Sequence, residues 1–283
     1  MKNIFSISTL AVLAITVWSC NLEKEVDLDL PAYDRQPVVE CYLEPGQPFN
    51  LLLSRSVSFF DPFPADSTFL DQLLIDDATV SIEHGGKLYP LSNGFFFNPL
   101  TLKFFNYGST ELVPQTFDTD FKLRITLADG KTISAMTQIL RPVPIDSIVV
   151  QFPSDEPKDS LARVLTYLTD DASQVNFYRR QIHENNLRDS LPDQDFISTD
   201  RFVDNQVLAF GTGYDFAVGD TVYNTVYHIS HDYFDYLESA FNASASNANP
   251  FGQPSTIVSN LGGDAIGIFT GLSYVRVMTI IKR

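Results

Sequence analysis

His228 and His231, with Asp232 beside the second, are the residues best spaced for metal or hydrolytic chemistry. Helical i, i+3 spacing would put both imidazoles on one face, but His228 ends an alternating strand pattern and His231 opens a helical one. Zinc needs three or four converging ligands, and the chain has 4 His in all. Histidines satisfied at a strand–helix junction are the plainer reading. Nucleophile chemistry finds less support. No Gly-x-Ser-x-Gly elbow occurs. Cys41 lies inside the apolar run Val38-Val39-Glu40-Cys41-Tyr42-Leu43, as a buried small hydrophobe would. Asp76-Asp77 and Asp170-Asp171 are adjacent pairs. Neighbours on a strand point to opposite faces, so neither makes a glycosidase couple, and both read as turn residues. Asp71 with Asp76-Asp77 could offer oxygens to calcium, but without EF-hand spacing. Gly211-Thr212-Gly213 and Gly262-Gly263 lack the Lys-Ser/Thr of a phosphate loop and read as turns. The sequence thus predicts no catalytic residue, no metal site and no cofactor. A hydrolase of unrecognised type at His228, His231 and Asp232 is the residual enzymatic reading.

The aromatic residues point to binding. The chain has 23 Phe, 12 Tyr and 1 Trp. Phe95-Phe96-Phe97 and Phe104-Phe105-Asn106-Tyr107 flank a loop, and consecutive aromatics in a strand face both sides. Phe96, Phe104, Phe105 and Tyr107 are therefore the candidate partner or ligand surface. The competing reading covers both faces with protein, since sandwich cores are rich in aromatics. The single Trp, Trp18, falls in the leader described next, which argues against a dedicated sugar platform.

At the N-terminus, Lys2 precedes an apolar run from Ile4 to Val17, followed by Ser19-Cys20, which is the layout of a secretory leader over residues 1–19. The run is too short to span a bilayer comfortably. Val17-Trp18-Ser19-Cys20 resembles a bacterial lipobox, making Cys20 the lipid attachment site. Several acyl chains at about 0.8 kcal/mol per buried CH₂ would anchor the chain without spanning. Residues 20–37 are charged, bounded by proline and read as an acidic tether. A formal charge of −16 counts against nucleic acid and anionic membrane faces as partners. Cys41 is left without an intramolecular disulfide partner, so the fold rests on its core.

From Val38 onward the pattern is one of strands. Val38–Leu43, Phe49–Val57, Ala78–Glu83, Phe121–Leu127 and Thr132–Thr137 are short and turn-punctuated, with Asp129-Gly130 marking a hairpin. The expectation is a mainly β fold. An immunoglobulin-like β-sandwich over residues 38–143 is followed by a second β-rich domain over 144–283, with one helix near 231–246. Ser230 can cap that helix, and Tyr233, Tyr236, Leu237, Ala240 and Phe241 recur at helical spacing.

The order of these landmarks resembles a known family. VVECYL after an acidic tether, PIDSI at the mid-chain junction, FYRRQI, the tyrosine-rich helix and the block NPFGQPSTIVSNLGGDAIGIFTGLS are similar to the Bacteroidota lipoprotein family known as domain of unknown function 4249. Cys41 stands where that family leads one to expect Gly. The resemblance implies an outer-membrane lipoprotein encoded beside a TonB-dependent receptor, with no catalytic residue to carry over. It also implies that Glu23-Lys24-Glu25 resembles a signal for display on the outer face. Five Asp-Ser/Thr sites, beginning at Asp66, Asp146, Asp159, Asp189 and Asp220, resemble an O-glycosylation signal of that bacterial group. The resulting expectation is a non-enzymatic, lipid-anchored accessory of a TonB-dependent transporter. A free-standing surface ligand-binding or adhesion module is the alternative.

Overall fold

The computed structural model describes residues 34–57, 69–98, 103–154, 161–187, 191–201, 207–247 and 256–283. The leader, Cys20 and all but the end of the 20–37 tether lie outside the described residues, as do Asp66, Asp159 and Asp189. What is described is mainly β, with one long helix in the second half.

The first half forms β1 (Pro37–Leu43), β2 (Pro48–Arg55), the short helix α1 (Phe69–Leu73), β3 (Thr79–His84), β4 (Lys87–Asn98), β5 (Lys103–Leu112), β6 (Asp120–Thr126) and β7 (Thr132–Gln138). Period-2 alternation drives most of them: in β6, Phe121, Leu123 and Ile125 point inward while Lys122 and Arg124 point out. The second half forms β8 (Ser147–Gln151), β9 (Arg163–Thr169), β10 (Phe177–Glu184), β11 (Gln194–Thr199), β12 (Val207–Gly211), β13 (Thr221–Ile229), α2 (His231–Asn247), β14 (Ile266–Gly271) and β15 (Ser273–Ile280). The Ser230 hydroxyl accepts the Tyr233 amide at 3.2 Å, the N-cap expected for α2.

An eight-stranded sheet runs β14-β1-β2-β5-β4-β3-β6-β7. Its end strands approach each other, with Ser134 and Gly262 exchanging backbone hydrogen bonds, so the sheet curls around one apolar interior. That interior includes Val39, Cys41, Leu51, Leu53, Ile82, Phe121 and Phe269. Burial pushes the Cys41 thiol far above its usual range, which keeps it protonated and inert.

β14 comes from the far end of the chain. It lies parallel to β1, from Val38 opposite Ile266 to Leu43 opposite Gly271, so hydrogen bonding crosses the expected 143/144 boundary. Gly267 makes the approach possible. Its φ is +124°, and a Cβ there would fall 2.0 Å from the Val39 carbonyl oxygen. Asn260 holds the segment from the other side: its amide donates to Phe269 O at 2.8 Å and its Oδ1 accepts Phe269 N–H at 3.0 Å.

The remaining strands form a sandwich. A four-stranded sheet, β11-β10-β13-β15, packs on a three-stranded one, β12-β9-β8. Helix α2 covers part of the four-stranded sheet through Tyr233, which packs with Phe177, Ile229 and Ile268.

Candidate functional site

Among the sequence-predicted aromatics, the β4–β5 hairpin separates those that face solvent from those that do not. A β-bulge between Asn93 and Phe96 shifts the register. Beyond it, Phe97 lies opposite Phe104, and Phe96 opposite Phe105. Phe95, Phe97 and Phe104 share one face, with the Phe95 and Phe104 rings stacked at 6.1 Å and 12°. Phe95 is 76 % exposed and Phe97 53 %, while Phe104 is half-buried.

Two of the expected surface residues are corrected. Phe105 is buried, and Tyr107 is wholly so, packed with Leu51 and Leu53 in the main core. The Tyr107 hydroxyl accepts the Ala78 amide at 2.9 Å, and burial raises its pKa. Neither can meet a ligand in the folded state. Phe96 is half-buried and lies flat over the neighbouring strand: a Cβ at Gly108 would come 2.9 Å from its ring. The absence of a side chain at Gly108 gives Phe96 its seat, so of the expected four only Phe104 contributes to the exposed stack. Phe95 and Phe97 take the place of the others. Strand alternation shows that some of these rings must face outward, but the bulge decides which.

The carboxylates read as turn residues have structural work. Asp76 Oδ1 accepts Asn93 Nδ2 at 3.0 Å and Asn106 Nδ2 at 2.9 Å. Buried Asn106 also donates to Leu53 O and Ile75 O and accepts Leu53 N–H, so its amide ties β2 to the segment after α1. Asp76, Asp77 and Asp71 are not gathered into a ligand cage, and no metal-holding group of His, Cys, Asp or Glu occurs among the described residues.

The histidines do not converge either. His228 turns Nδ1 to Arg141 O at 2.8 Å and stacks on Tyr178, whereas His231 stacks on Phe177 and sets Nε2 3.4 Å from Asp235 one turn along the helix. A third histidine has the more chemical geometry. His84 Nδ1 sits 2.9 Å from the Asp120 carbonyl oxygen, which can only accept, so Nδ1 carries the proton. Nε2 therefore accepts from the Thr116 hydroxyl at 2.9 Å. The pair is partly open to water, and the ring lies flat on its cross-strand partner Phe121 at 3.8 Å. Its visible work is to hold β3 on β6.

Inside the sandwich lies a polar layer that sequence reading missed. Arg180 is 1 % exposed. Its Nε donates to Asn224 Oδ1 at 2.8 Å and one terminal nitrogen to Thr166 Oγ1 at 3.0 Å, while the Asn224 amide also donates to Thr166. The other terminal nitrogen has no hydrogen-bond acceptor, and the guanidinium lies over the Phe196 ring at 5.5 Å. Burial pushes the Arg180 pKa down to about 10, which leaves it charged at neutral pH. On β9, β10 and β13 the polar residue occupies the middle position between members of two apolar clusters. Val164, Ile182 and Val222 lie on one side, and Leu168, Tyr178 and Val226 on the other.

The sequence profile of the family described as domain of unknown function (DUF4249) matches residues 23–276, and the chain belongs to that family. No curated protein matches it.

Proposed function

We propose that the protein is a non-enzymatic outer-membrane lipoprotein, held by acyl chains on Cys20 with its β-structure facing the cell exterior. In this reading it serves as accessory or binding partner of a TonB-dependent transporter. The observation that supports the binding role is the exposed Phe97 beside the Phe95–Phe104 stack. Two large apolar rings standing mostly in water on a hydrogen-bonded hairpin lose little conformational freedom when a partner covers them. The lipobox-like Ser19-Cys20 and the acidic residues after it support the location.

Palmitate labelling of the wild type and of Cys20→Ala tests the anchor, with label expected only in the first. Gentle detergent extraction followed by affinity purification then tests the alliance. A transporter barrel should co-purify with the wild type and be lost with Phe95→Ser/Phe97→Ser. Recovery of the lipoprotein alone would remove the transporter role. The same aromatic stack also favours a free-standing ligand-binding or adhesion module. That reading predicts that ligand capture by whole cells depends on Phe95 and Phe97 even when no barrel co-purifies.

A further inference from the structure

Asp170 follows directly on β9 and is 8 % exposed. Its Oδ1 accepts three hydrogen bonds: from Asp171 N at 2.7 Å, Asn176 Nδ2 at 2.8 Å and the Tyr178 hydroxyl at 2.5 Å. Its Oδ2 is equally buried and meets no donor. What stands against this carboxyl is another acid. The Asn176 amide that binds Asp170 also donates to Asp200 Oδ2 at 3.1 Å, and the Asn176 backbone N–H donates to Asp200 Oδ1 at 2.8 Å, so one residue brings the two carboxyl groups together. Two ionised carboxylates held close together repel, whereas an acid beside a carboxylate forms a strong O–H···O⁻ bond. A proton on Asp170 Oδ2 gives that orphaned oxygen its partner.

We propose that Asp170 and Asp200 hold one proton between them, donated from Asp170 Oδ2 to the Asp200 carboxylate, as a pH-sensitive latch. The latch fastens the end of edge strand β11 to the turn joining β9 and β10. Asp200 lies just past β11, and Asn176 just before β10. The other titratable groups facing the pair are few. Tyr178 on β10 and Asp171 in the turn face it directly. His228 on β13 lies behind the Tyr178 ring, and Asp146, before β8, is bound to Thr169 next door.

The shifts of the two groups agree with this arrangement. Burial, then the contact with Asp200, raises the Asp170 pKa. Burial acts upward on Asp200 too, but the hydrogen bonds from Asp170 and Asn176 prevail and hold its pKa below the usual carboxylate value. The signs are therefore opposite. Asp170 gives its full stabilisation below the ordinary Asp pKa and loses it as pH rises through its raised folded value. Asp200 gives its stabilisation above the ordinary value and loses it as pH falls through its depressed one. Above the first limit the shared proton leaves to water and two carboxylates face each other. Below the second, both are neutral.

The test is a series of thermal melts across pH, with ¹³C titration of the Asp carboxyls in the intact protein. One carboxyl should titrate above the ordinary Asp range, and the wild type should lose roughly 2–4 °C of melting temperature per kcal/mol as that proton leaves. Asp170→Asn, whose amide can donate where the acid did, should flatten the high-pH limb relative to wild type. Asp200→Asn should bring the raised titration down without abolishing it, because the burial of Asp170 remains. The proposal is overturned if no Asp carboxyl titrates above the ordinary Asp range. It is equally overturned if Asp170→Asn folds and keeps the wild-type pH profile, or if calcium stabilises the wild type reversibly with chelator, which would make the oxygens a cation site. Should Asp170→Asn not fold, the wild-type ¹³C titration decides alone.

Discussion

In the eight-stranded sheet the interior is one apolar cluster running from Val39 to Phe269, whereas the sandwich is cut across by Arg180, Thr166 and Asn224. Both regions bury polar groups, but differently. Around Asn106 the buried amide serves backbone atoms, so the polar contacts tie backbone segments together. Around Arg180 a full charge is buried with only neutral oxygens and an aromatic ring to receive it. An apolar interior gives way in steps as methylenes are removed. A polar layer is satisfied or it is not, and removing one partner leaves the charge stranded. The sandwich thus gains strand register from its polar layer at some expense in stability.

The largest effect should come from the seam of the first region. Gly267→Ala places a methyl group into the Val39 carbonyl at a left-handed φ, and should cost about 4 kcal/mol or more. Urea denaturation measures it, and hydrogen exchange should show β1 losing protection first. Wild-type stability would mean that β14 is not held as closely as described. Next comes the second region. Asn224→Leu removes the acceptor for Arg180 Nε and should cost about 3 kcal/mol. The triple variant Arg180→Met/Thr166→Val/Asn224→Leu should recover most of that, because an apolar layer of similar volume strands no charge. If the triple variant is no more stable than the single one, the two cores do not differ in the way described. The smallest effect belongs to the aromatic hairpin. Phe95→Ser/Phe97→Ser should move folding stability by no more than about 0.5 kcal/mol. Partner association should weaken by at least tenfold, as expected for anchor residues. A large loss of stability would reveal the two rings as part of the core.

Local pattern carried much of this to the surface of the sequence. Alternation in Phe121–Leu127, the apolar run Val38–Leu43, Asp129-Gly130 and the Ser230 cap predict β6, β1, the β6–β7 hairpin and α2 nearly where they stand. β14 was not legible. Ile266-Gly267-Ile268-Phe269-Thr270-Gly271 is broken by glycines, and its partner β1 lies at the other end of the fold. The family block from Asn249 to Ser273 therefore offers only the Gly262-Gly263 turn until β1 is placed beside Ile266–Gly271. The same non-locality hid both polar clusters. Phe177-Tyr178-Arg179-Arg180 does signal that one of two adjacent arginines must face inward, and alternation with Tyr178 and Ile182 names Arg180. Nothing in the sequence, however, brings Thr166 and Asn224 to meet it. Asp170 was legible as a turn residue, but Asp200 had no visible tie to it. For Phe105 and Tyr107 the aromatic run was plain, but alternation alone does not say which face of β5 meets the core, and on β4 an extra residue before Phe96 sets which of Phe95, Phe96 and Phe97 face water.

The parallel seating of β14 beside β1 has a consequence for how the chain reaches its final form. A polypeptide delivered N-terminus first presents β1 long before residues 260–271 exist to flank it, so the curled sheet cannot close on a partial product. β1 and β2 can pair early, but the edge of β1 stays open for nearly the whole of synthesis.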